Sequence, residues 1–99
     1  MTEQTIFATM SQFVMKDMAQ GKPRSVAVAD AEATIQAMMT KANELATENL
    51  PASGIFGNLS QMVFNGMMRG ATRDEALAEA EKTMQALSQR TRALAQANE

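Results

Sequence analysis

The chain contains no cysteine, histidine, tryptophan or tyrosine. Without cysteine there are no disulfides, thiolate metal sites or thiol nucleophiles. Without histidine the commonest general base and the commonest metal ligand are missing. No Gly-rich phosphate loop and no metal-spaced cluster of strong ligands occurs, so no active site is read and the protein is not expected to be an enzyme. Neither charge sign dominates: nine Lys and Arg stand against eleven Asp and Glu, a net charge of −2. No basic field draws the chain to nucleic acid, and none is expected as a partner. The longest uncharged stretch, Asn49–Met68, is interrupted by Pro51, Gly54, Gly57, Asn58 and Gly66. A spanning helix needs about twenty predominantly apolar residues, so this segment does not qualify. Met1–Met10 lacks the basic start and apolar run of a secretory signal, which makes the cytoplasm, or the interior of an assembled particle, the expected location. What remains is 45% hydrophobic and 20% charged residues in 99 positions, the composition of one small globular domain. Ten Met against four aromatics, all Phe, and many Ala point to helices.

The chain repeats itself. Phe7–Asn49 aligns without a gap on Phe56–Asn98, an offset of 49 residues. Phe7/Phe56, Ser11/Ser60, Gln12/Gln61, Val14/Val63, Met18/Met67, Gly21/Gly70 and Arg24/Arg73 are identical. The identities continue through Ala31/Ala80, Glu32/Glu81, Gln36/Gln85 and Leu45/Leu94. Chance similarity between two Ala-rich helices would not keep Gly, Arg, Ser-Gln and Phe in place without a gap. The expected origin is a tandem duplication, with residues 1–50 and 51–99 as two helical hairpins forming one compact domain.

Each hairpin reads as a short helix, a tight turn and a longer helix. The first short helix covers about Thr5–Gln20, and Gly21 ends it with a left-handed residue. Pro23 suits the first turn of the next helix, and Thr72-Arg-Asp-Glu75 reads as a capping box at the aligned place. Asn49–Gly54 joins the copies, and Pro51 stops the first long helix. The long helices carry stripes spaced alternately by three and four: Val28, Ala31, Ile35, Met38, Ala42, Leu45, and Leu77, Ala80, Met84, Leu87, Thr91, Leu94. The fold class that follows is all-α, a pseudo-twofold four-helix bundle of two αα-hairpins whose second and fourth helices are long and coiled-coil-like.

The short helices are too apolar for one buried stripe. At about 100° per residue, Ile6 through Ala19 and Ile55 through Met68 each present an apolar arc of roughly 240°, where a surface helix needs little more than 100°. Either these helices are buried on two sides in a monomer, or they cover a partner. Phe13, Met15, Phe64 and Met68, lying off the main stripe, are the expected interaction surface, because Phe and Met give large, adaptable contacts. Arg24 and Arg73 stand at aligned helix starts, where a cation opposes the helix dipole. Salt bridges across the pseudo-twofold to Glu81 and Glu32 would account for them.

Asp30/Glu32 and Glu79/Glu81 are repeated carboxylates, but two helix flanks offer fewer oxygens than Mg²⁺ or Ca²⁺ requires. The expected function is that of a small non-catalytic interaction or assembly subunit, self-associating, such as a component of a bacterial or phage particle. A compact inhibitor or adaptor filling a partner protein's groove is the alternative within the same class. From a different class comes a Met-rich Cu(I) carrier using Met15, Met18, Met38, Met39, Met67 and Met68, since soft thioethers select soft metals. Adaptable core packing explains the same residues without metal, and no cofactor is expected.

Overall fold

Four α-helices make up the computed structural model, which describes residues 1–98: α1 (Glu3–Ala19), α2 (Arg24–Leu45), α3 (Ala52–Met68) and α4 (Arg73–Ala97). The starts of α1 and α2, and the end of α1, recur 49 residues later in the second half. Local chemistry sets these boundaries. The Thr2 hydroxyl accepts from the Thr5 N–H at 3.1 Å and opens α1. Gly21 and Gly70, at φ +97° and +103°, close the two short helices in a conformation that side chains with a Cβ avoid. Around Gly21 the Lys22 N–H donates to the Asp17 carbonyl and the Gly21 N–H to Met18. The same pair of bonds recurs from Ala71 to Gly66 and from Gly70 to Met67. Both are Schellman closures, which satisfy carbonyls that the helix end leaves unpaired. Pro23 and Pro51 sit in extended backbone as the caps of α2 and α3.

At α4 the capping box is complete. The Thr72 hydroxyl accepts from the Glu75 N–H at 3.1 Å, and the Glu75 carboxylate accepts from the Thr72 N–H at 2.9 Å. Hydrogen bonding of the carboxylate by the Thr72 backbone N–H, and next by the Thr72 side chain, holds the Glu75 carboxyl below its usual range. The long helices differ at their ends. α2 stops at Leu45, three residues earlier than the aligned end of α4 at Ala97, where Thr47 and Leu50 exchange backbone hydrogen bonds at 2.9 and 3.2 Å. That tight turn shortens the connection to residues 46–51, and Ala52–Gly54 belongs to α3 rather than to the linker.

The core centres on α3. Ile55, Phe56, Leu59, Val63 and Met67 are all buried, since α2 packs on one side of this helix and α4 on the other. The second apolar side of α3 is therefore covered within the chain. α2 and α4 run parallel: Arg73 meets Asp30 near their starts, and Lys41 donates to Gln85 at 2.9 Å about three turns on. α1 packs on α2 and touches α3 where the Phe13 and Phe64 rings meet edge to face, 6.1 Å apart. Among the described residues, α1 and α4 do not pack on each other, so this four-helix bundle is open along one edge. Its shape agrees: 52 × 28 × 15 Å with a radius of gyration of 14.6 Å, where a compact chain of this length has about 13 Å.

Four of the expected seam residues are exposed: Val28, Leu87, Thr91 and Leu94, whereas Ile35, Met38, Leu45 and Met84 are buried as the seam requires. On α4 the buried row is Ala76, Ala80, Met84 and Ser88, a four-residue ridge that fits the groove beside α3. Small side chains in that row let the helices approach closely. Leu87 lines the rim of a cavity with Leu45 of α2 and Ile55 of α3, and Leu94 lies beyond it in the last turns of α4.

Candidate interaction surface

The four residues singled out as an interaction surface separate into two pairs. Phe13 is 2% exposed and belongs to the core, so it offers no docking area. Its ring stacks on half-buried Phe64, and the two seal the joint between α1 and α3. Met15 and Met68 are exposed, on the outside of α1 and at the end of α3 respectively. The structure thus does not bring Phe13, Met15, Phe64 and Met68 into one face.

A different apolar face is open. Phe7 is 72% exposed, and it heads a stripe continued by half-buried Met10 and Val14 and by exposed Met18. Phe7, Met10 and Val14, with Ser11 and Met15, line a shallow groove along α1. The stripe is the aligned counterpart of Phe56, Leu59, Val63 and Met67, which α2 and α4 cover completely on α3. Sequence reasoning missed Phe7 because its identity with Phe56 argues for equal burial. No local signal distinguishes the two; α3 is packed by α2 on one side and α4 on the other, whereas α1 is packed by α2 on one side and open on its Phe7 side.

The inter-hairpin charges pair differently from the expectation. Arg73 bonds to the Asp30 main-chain carbonyl and stands 3.9 Å from the Asp30 carboxylate. Lys22 reaches the same carboxylate at 3.1 Å and the buried Asp17 carboxylate at 3.7 Å. Arg24, Glu32 and Glu81 make no ion pair among the described residues. Asp30 takes the role because it lies two residues nearer the start of α2, on nearly the opposite face from Glu32 and level with the start of α4. The helix dipole makes Arg73 an unfavourable first residue, and the bonds to Asp30 offset it.

Methionine serves mainly to fill space. Met38, Met67 and Met84 are core residues, and the Ser60 hydroxyl of α3 lies 4.0 Å from the Met38 sulfur of α2. Among the described residues no group of three or more His, Cys, Asp or Glu side chains converges, and no helix is long and apolar enough to cross a membrane. A groove between α3 and α4 is lined by Asn65, Arg69, Glu75, Glu79 and Thr83 around Ala76 and Ala80. Its polar groups are spread along about two turns of α4. Fold and surface define an all-α, four-helix protein with one apolar edge open. Compared with protein families, curated proteins and solved structures, the chain shows no match.

Proposed function

We propose that the protein is a non-catalytic assembly subunit that works by burying the open edge of its bundle against another protein surface, including copies of itself. The observation that carries this reading is the row Phe7, Met10, Val14 and Met18 along α1, exposed or half-buried where the aligned row of α3 is fully buried. Exposed apolar stripes of this kind in small soluble domains mark docking sites. Phe and Met supply contact area that adapts to the partner's shape. A filled partner groove, as in an inhibitor or adaptor, would use the same row.

The test is a comparison of wild type with Phe7→Ser in sedimentation velocity from low to high micromolar concentration. Wild type is expected to associate, whereas the variant stays monomeric with an unchanged helical circular-dichroism spectrum. A wild-type monomer across the whole range refutes self-association.

A further inference from the structure

The interface that α2 makes with α3 inside one chain has an unfilled counterpart at each end of the molecule. On α2, Thr34, Met38 and Leu45 are all buried, and Met38 faces α3 where the Ser60 hydroxyl meets its sulfur. Forty-nine residues later the same positions on α4 are Thr83, Leu87 and Leu94, all exposed, with Leu94 at 68% against 7% for Leu45. The receiving face on α3 is likewise repeated, open, on α1 as the Phe7 row. The outer hairpin faces of a stacked helical array are polar when they are meant to end it. Here one end presents the donor face of the internal contact and the other presents its acceptor face.

We infer that a second copy of this chain fills the open edge, with α4 of one copy docking on α1 of the next as α2 docks on α3. This rests on the assembly reading above and adds the partner, the polarity and the register. The register follows from contacts already made. Met38 lies against Ser60, so Leu87 is placed beside Ser11 of the next copy. Leu45 and Ile55 line one cavity, so Leu94 is placed beside Ile6. Charge agrees with this antiparallel placement: Arg90 and Arg92 flank the Leu94 end of α4, and Glu3 lies one turn before Ile6. Because donor and acceptor faces differ, the contact is head-to-tail and passes from copy to copy instead of closing on itself as an isologous pair does.

Two single variants test the polarity. Phe7→Ser blocks the α1 face and leaves α4 intact, and Leu94→Arg does the reverse; both sites are exposed, so the fold has little to lose. Each variant alone is expected to be monomeric at concentrations where wild type associates. An equimolar mixture is expected to form 1:1 heterodimers that grow no further, because each pair retains one competent contact. Register is read by cross-linking. The chain has no cysteine, so Ser11→Cys chains mixed with Leu87→Cys chains can be joined by a short bismaleimide. The mixed product is expected to exceed either homodimeric product at least tenfold. Association of wild type without rescue in the mixture, or without the mixed cross-link, overturns this interface while leaving self-assembly standing. A wild-type monomer at every concentration overturns both. Cross-linking within single chains of the double variant at high dilution overturns it as well, since α4 then closes on its own α1.

Discussion

Gly57 and Gly66 lie in the same helix and should answer a methyl group with opposite signs. A Cβ added to Gly66 would stand 2.9 Å from the Ala76 Cβ and 3.5 Å from its Cα. Carbon atoms settle at about 3.5–4.0 Å, so α3 and α4 must part by roughly half an ångström or more at this level. Neither neighbour can yield alone, because one is a methyl group fixed to a helix and the other is backbone. Overpacking of this kind costs about 1–3 kcal/mol, against which the better helix propensity of Ala returns about 1 kcal/mol. Gly66→Ala is therefore expected to lose up to about 2 kcal/mol. A Cβ at Gly57 meets nothing within 4 Å, so Gly57→Ala gains about 0.5–1 kcal/mol. The assay is urea unfolding followed by circular dichroism, at low micromolar concentration so that association does not add to the apparent stability. Thermal midpoints should separate by several degrees in the same order, at about 4–8 °C per kcal/mol for a domain of this size. Adding Ala76→Gly to Gly66→Ala should recover part of the loss through a positive coupling energy. Equal gains from both single substitutions would show that α3 and α4 do not touch there, and the close-approach argument would fail.

Further expectations concern the core, the caps and the charges. Ile35→Ala should cost about 2–4 kcal/mol by leaving a cavity beside α3, while Leu94→Ala in the monomer should stay within about 0.5 kcal/mol; chemical denaturation of both variants separates the buried seam from the open edge. Thr72→Ala should cost about 1 kcal/mol by removing the cap of α4. Because the native Glu75 carboxyl ionises below its usual value near 4.5, its contribution is present above that pH and is lost as pH falls through the native pKa. A pH series of denaturation midpoints should show that acid-side slope in wild type and a shallower one in Glu75→Gln. Arg73→Ala should cost about 1–2 kcal/mol by removing the charged donor to the Asp30 carbonyl, and an effect indistinguishable from zero would show that the bridge between α2 and α4 is ornamental.

Helix ends were legible because their causes are local. Gly21 and Gly70 stop helices through one backbone angle, and Thr72 with Glu75 starts one through two hydrogen bonds three residues apart. The alternating apolar spacing of the long helices likewise identified Ile35, Met38, Leu45 and Met84 as buried. What the residues could not disclose was which of two equal faces receives a neighbour. Phe7 and Phe56 are the same residue in the same local setting, yet one is open and the other buried. Asp30, rather than Glu32, meets Arg73 for a similar reason, since the relative height of α2 and α4 is set by packing across the core. Composition and periodicity state that a surface is apolar. Burial depends on a second surface arriving, and in this chain α2 and α4 cover both sides of α3 while α2 covers one side of α1 and leaves the Phe7 side open.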